Sequence, residues 1–305
     1  MPNFRSPNRT LKKFGKSFYW AGKILPNFYF KRSADLYHFC RKMDDIADEN
    51  QNIHTLENLK LIKSFIQKED YNKLNRLGIF IPEFLKDDNA SKKAMKDLLD
   101  GLIFDQKRVR IKDLDELIKY CYRVAGTVGI MMCNALDCKE EKAKNFAIDL
   151  GIAMQLTNII RDVLEDAKID RVYLPSSMTN NITSKKILLI SKDPNTNIID
   201  NKRIKQTLKK LLEISDQYYI SGKQGLIFLP SKVRISIAVA ANIYREIGLI
   251  IKSKSYDWHL GRQYTSLIVK IKVTLLTIFQ HLFFSSRKSF IHNESLHLSI
   301  KDDLK

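Results

Sequence analysis

The sequence predicts an all-α protein folded as one large domain. Three observations carry that prediction. Only 7 prolines and 11 glycines occur in 305 residues, too few for the turn at about every 8 to 12 residues that a sandwich or barrel needs. Long stretches rich in Lys, Leu, Ile and Asp repeat their apolar residues at helical intervals. The 44% hydrophobic content is enough to bury a domain-sized core.

The elements follow in order. Residues 1–16 are basic and read as a loose N-terminal extension, residues 17–284 as the helical domain, and residues 285–305 as a polar, frayed C-terminal tail. The first strong helical pattern runs over 33–47, where Leu36, Phe39, Cys40, Met43, Ile46 and Ala47 share a face. Further helices are expected at 55–68, 90–107, 113–136 and 140–168, the last interrupted by nothing stronger than Gly151. From Leu174-Pro175-Ser176-Ser177 to Asp193-Pro194-Asn195 turn formers dominate, so 169–200 reads as a surface connection with at most a short helix. Helices resume at 201–222, 230–252 and 263–284.

A formal charge of +18 suits nucleic acid, anionic lipid or a phosphorylated substrate. The basic residues are not interleaved with aromatics as in a nucleic-acid-binding module, which argues against the first. Cys40, Cys121, Cys133 and Cys138 show no paired CxxC spacing, and Met1-Pro2-Asn3-Phe4-Arg5 lacks the apolar core of a signal peptide. Reduced thiols and a cytoplasmic location are expected. Arg245 and Glu246 interrupt one apolar stretch and Lys270 and Lys272 another, so no membrane span is predicted. The six histidines form no recognisable zinc constellation or catalytic triad and receive no role.

Eight of the 34 acidic residues fall in two short windows, Asp44, Asp45, Asp48 and Glu49 in one, Asp162, Glu165, Asp166 and Asp170 in the other. At about 100° per residue, Tyr37, Arg41, Asp44 and Asp48 lie within an arc of roughly 60°, and Gln155, Asn158, Asp162 and Asp166 within roughly 80°. Like charges four apart on a helix repel, and a cation is the simplest compensation. A single DxxxD is usually a solvated face; two stripes of oxygen ligands suggest a diphosphate held through magnesium.

These residues resemble the squalene/phytoene synthase family over about 17–270. The resemblance rests on Ser17-Phe18, on Tyr37-His38-Phe39-Cys40-Arg41-Lys42-Met43-Asp44-Asp45-Ile46-Ala47-Asp48, on Tyr120-Cys121-Tyr122-Arg123-Val124-Ala125-Gly126-Thr127-Val128-Gly129, and on Gln155-Leu156-Thr157-Asn158-Ile159-Ile160-Arg161-Asp162-Val163-Leu164-Glu165-Asp166 followed by Arg171-Val172-Tyr173-Leu174-Pro175. It implies one helical bundle around a central cavity with the acidic motifs facing each other at its mouth. Asp44 and Asp48 look like one metal-binding pair and Asp162 and Asp166 like the other, with Gln155 and Asn158 beside them, Asn158 as a further ligand; the ion would be Mg2+, with Mn2+ as an alternative. Ser17, Tyr37, Arg41, Tyr120, Tyr244 and Arg262 match diphosphate-contacting positions of relatives, with Arg171 a weaker candidate. Lys16 departs from the arginine that some relatives carry there.

The activity so implied is head-to-head condensation of two geranylgeranyl diphosphates to phytoene through a cyclopropyl diphosphate, the first step of carotenoid biosynthesis, without NADPH. Alternatives are a C15 synthase making presqualene diphosphate, squalene or dehydrosqualene, and an inactive member serving as assembly factor or lipid carrier. Phe18, Tyr19, Phe39, Tyr122 and Tyr244 either steady a carbocation through their π faces or are simple core. Ala125-Gly126-Thr127-Val128-Gly129 either makes room for prenyl chains or packs helices closely. In helix 263–284, Leu267, Ile268, Ile271, Leu275, Ile278 and Phe279 beside Lys270 and Lys272 either dock the protein peripherally on an anionic membrane or close the bundle.

Overall fold

The computed structural model describes residues 6–48, 53–284 and 291–304. Glu49 and the start of the C-terminal tail lie outside them. The helices are α1 (Pro7–Phe14), α2 (Lys16–Gly22), α3 (Asn27–Asp48), α4 (Ile53–Gln67), α5 (Tyr71–Arg76), α6 (Glu83–Lys86), α7 (Asn89–Phe104), α8 (Leu114–Cys121), α9 (Thr127–Ala135), α10 (Glu141–Arg161), α11 (Val163–Lys168), α12 (Ser176–Thr179), α13 (Ser184–Lys192), α14 (Ile198–Gln224), α15 (Ser231–Ser253) and α16 (Leu267–Phe284). No strand occurs among the described residues; Arg110 and Val172 form one isolated bridge.

α10 is the axis of the bundle. Its buried residues, from Ala143 and Phe146 through Ile152, Leu156 and Ile160, face every direction, which is the pattern of a helix surrounded by others. α9, α14 and α15 pack around it. Glycine sets two of these approaches. A Cβ at Gly151 would strike the carbonyl oxygen of Ala125, and one at Gly129 the carbonyl oxygen of Ala147. The backbones of α10 and of the segment holding Ala125 to Gly129 therefore touch, which is the close-packing reading of that run, and Ala125, Val128 and Gly129 also wall the central cavity.

The structure corrects several expectations. Residues 7–14 are helical rather than loose, because Pro7 starts α1 and Leu11 buries itself against the bundle, while Thr10 Oγ1 meets His38 Nδ1 at 3.0 Å. The described tail is docked rather than frayed: Glu294–Ile300 is a 3-10 helix with Ile300 fully buried, and Asp303 takes bonds of 3.1 and 2.9 Å from Arg123. The expected helix 140–168 breaks at Asp162, whose φ of −104° and ψ of 13° end α10 and begin α11. The connection 169–200 contains two short helices, α12 and α13.

Gly151→Ala should destabilise the fold by about 1–3 kcal/mol, since the methyl group has only backbone to displace. A thermal melt checks this, and an unchanged midpoint would show that α10 stands off its neighbour.

Candidate active site

The two acidic helices meet at one end of the bundle around a polar compartment of ≈ 240 Å3. Arg41, Asp44 and Asp48 from α3, Gln155 and Asn158 from α10, Asp162 from the break, Asp166 from α11, Arg171 from the following loop and Tyr120 from α8 all belong to its wall. Phe18, Tyr37 and Tyr244 instead wall an adjoining apolar cavity. Arg262 reaches Asp162 from the segment after Gly261, where a φ of +73° suits glycine. Ser17 is half-buried on α2 and walls neither compartment.

Burial and mutual repulsion set the charges. Desolvation pushes Asp44 up to about 7, with Asp48, Asp45 and Asp105 adding to the rise and Arg41 opposing it. Asp166 is pushed up to about 8 by burial, then by Asp162, against Arg171. Neither carboxylate has an ion-pair partner at contact distance among the described residues. Asp162 has the opposite outcome. Burial raises it, but Arg161 and Arg262 outweigh that and lower it. Arg161 donates to both oxygens at 2.7 and 2.6 Å, and Arg262 at 2.8 and 2.7 Å, so the carboxylate grips two guanidinium groups at once. Arg171 approaches the exposed Asp48 at 3.4 Å, while Arg41 pairs with Asp45 at 2.6 Å and lies over the Phe14 ring.

Three members of the site escaped the sequence reading. Asp105 is buried on the floor of the polar compartment, accepting hydrogen bonds of 2.9 Å from both Tyr120 and Tyr173, whose rings stack 4.8 Å apart. Burial raises it to about 6 against Arg171 and those two bonds. No acidic neighbour marks Asp105 in the sequence. Tyr173 and Arg161 stood inside quoted motifs, where adjacency to Arg171 and Asp162 was the available signal.

The apolar cavity, ≈ 350 Å3, extends from Asp44 near the end of α3 to Leu25 just before its start. From Asn27 to Asp44 that is roughly 25 Å of helix. Asp44, Val124, Gln155 and Asn158 wall both compartments, so the two adjoin along these residues. Phe18 stacks on Tyr244 at 4.9 Å near this junction, and farther along Leu136, Phe146 and Leu229 supply apolar walls beside the glycines Gly22, Gly129 and Gly225.

The donor set fits a hard divalent ion. Asp44, Asp48, Asp166 and Asn158 offer only oxygen, Asp44 and Asp166 are carboxylates with no guanidinium or ammonium group in contact among the described residues, and Asn158 Oδ1 is a buried oxygen with no hydrogen-bond partner. Asp162 has its lone pairs committed to arginine, so its direct contribution to a metal requires release of one guanidinium.

Comparison with known proteins bears on the fold and the family. The chain is 30% identical over 266 residues to a 15-cis-phytoene synthase of Enterobacter agglomerans, covering 82% of this chain and 86% of that one. It is 28% identical over 284 residues to a phytoene synthase of Pseudescherichia vulneris, covering 88% of each. Among solved structures, a dehydrosqualene synthase in complex with ligand superposes with a TM-score of 0.75 at 23% identity, covering 91% of this chain and 96% of that one. A squalene synthase from Alicyclobacillus acidocaldarius gives 0.64 at 16%, covering 82% and 93%. These two likenesses concern the fold, and the motifs concern the site. A sequence model of squalene/phytoene synthases matches residues 11–272, and the chain belongs to that family.

Proposed function

We propose that the chain joins two geranylgeranyl diphosphate molecules head to head, through a cyclopropyl diphosphate, to give phytoene, with Mg2+ as its ion and Mn2+ as a substitute. The single observation that carries this reading is an acidic, arginine-bearing rim that shares four wall residues with an apolar cavity running along α3. The rim suits diphosphate and the cavity suits a long prenyl chain.

The bound ion supplies positive charge that makes pyrophosphate a better leaving group. The chain's own groups do the rest. Arg41, Arg171 and Arg262 present guanidinium donors to phosphate oxygens, and Asp162 keeps Arg161 and Arg262 aimed at the rim. Phe18 and Tyr244 put stacked aromatic rings beside the point where an allylic cation would form, the two ring centroids 4.9 Å apart. The apolar walls keep water from quenching the cation, which leaves the second substrate's double bond as the nucleophile.

Product handling points to lipid. α16 is amphipathic in an inverted sense. Its Thr277 accepts a bond of 2.9 Å from Asn242, its Thr274 one of 3.0 Å from Trp20, and both face the bundle, while Leu267, Ile268, Leu275, Phe279 and Leu282 are exposed. No helix among the described residues is long and apolar enough to cross a membrane. We infer that this outer face, which carries Lys272, rests on an anionic bilayer beside α2 and α15, whose inner faces wall the cavity.

Each of Asp44→Asn, Asp48→Asn and Asp166→Asn should lower turnover by roughly 10²–10³ while circular dichroism stays native, and EDTA should abolish activity until Mg2+ is restored. Near wild-type rates in these variants would remove the metal from the reading. With purified protein and Mg2+ alone, mass spectrometry of extracted hydrocarbon should find a C40 product from C20 diphosphate without NADPH; faster turnover of C15 diphosphate, or hydrocarbon only when NADPH is added, would reassign the substrate and leave the site standing. Liposomes containing anionic lipid should float the protein, and Leu275→Glu with Phe279→Glu should abolish flotation. A wild-type chain that stays in the soluble fraction at low and high salt would contradict membrane docking.

A further inference from the structure

Away from the acidic rim, six residues before Gln155 on α10, a second carboxylate is buried. Asp149 has no exposed surface, and two histidines from the far end of the chain close on it. His292 Nε2 lies 2.9 Å from Asp149 Oδ2 and His297 Nε2 lies 2.8 Å from Oδ1, with the imidazole side chains 7% and 8% exposed. Ser221 on α14 donates its hydroxyl to Oδ2 at 2.5 Å. One ligating atom from each of Asp149, His292 and His297 falls within 4.8 Å of the others, and the two rings sit 4.3 Å apart.

This corrects the expectation that the histidines have no ligand arrangement. His292 and His297 have the four-residue interval common in zinc sites, and folding adds the remote carboxylate. The donor types are informative. Two imidazole nitrogens and one carboxylate oxygen suit Zn2+, whereas Mg2+ prefers oxygen and retains several waters, for which this closed site has little room. A carboxylate with no access to water also needs compensating charge, which a divalent ion bound between it and the two rings would supply. The separations of 2.8 and 2.9 Å are hydrogen-bond lengths, those of the metal-free arrangement, in which protons stand where a cation would bind.

We propose that Asp149, His292 and His297 form a second divalent-metal site, of zinc type, with Ser221 or a water as fourth ligand. Its role is structural. It fastens the segment 291–304 to α10 behind Phe146, a cavity-wall residue whose ring meets His292 edge-on at 5.2 Å. One helix thus serves two ions of different chemistry, an oxygen-only set at the rim and a nitrogen-rich set in the interior. This proposal does not depend on the prenyl substrate assigned above.

The test uses the full chain, stripped with EDTA, re-supplied with ZnCl2 in excess MgCl2 and desalted. Elemental mass spectrometry should find about one zinc per chain, and the melting midpoint should rise by roughly 2–4 °C over the zinc-free protein. His292→Gln and His297→Gln keep a donor toward Asp149 but are poor ligands, so both should lose the zinc and the shift while melting cooperatively. An Asp44→Asn, Asp166→Asn double variant should retain both. Wild type that retains no zinc, or glutamine variants that retain as much as wild type, would overturn the site; the former leaves a purely hydrogen-bonded staple, the latter places zinc elsewhere.

Discussion

Holding carboxylates out of water at one end of a helical bundle is the constraint on which the rest of this site depends. Asp44, Asp105, Asp162 and Asp166 converge there, and they are answered in three different ways. Asp162 is answered by two arginines and stays ionised; Asp105 is answered by two tyrosine hydroxyls; Asp44 and Asp166 are left to repel their neighbours, and burial raises both toward neutrality. This pair, with no guanidinium in contact, is where a cation has most to gain. The two arginines that answer Asp162 meet at a carboxylate that itself belongs to the wall of the polar compartment.

Close helix approach makes room for what lies below. Where α10 touches the Ala125–Gly129 segment, the backbones meet without side chains between them, and the volume saved lies beside the cavity. Glycine here does two jobs through one property, the missing Cβ, so that tight packing and an open interior are not in competition.

How much of this was legible in the sequence depended on the distance over which each signal acts. The stripes of α3 and α10 could be read because helical periodicity is local, and the family motifs gave the pairing of the two acidic helices. Arg171 and Asp48 could be placed at the rim for the same reason. The break at Asp162 was not legible, because nothing in Asp162-Val163-Leu164 disfavours a helix; the turn accompanies a clamp by Arg262, a hundred residues away in sequence. Asp105 stayed hidden because its partners, Tyr120 and Tyr173, come from separate elements. α1 and α2 are too short to be stable alone and owe their form to docking on the bundle. The histidines of the tail acquire meaning only once Asp149 is beside them.

The sharing of Asp44, Val124, Gln155 and Asn158 between the polar and apolar compartments has a bearing on evolvability. A substitution at any of these four is judged twice, once by the head group and once by the tail of the ligand. Leu25, Leu136 and Leu229, at the far end, are judged by the tail alone. A change in the length of molecule accepted is therefore least constrained at the far end of the cavity, while the mouth is held to two requirements at once.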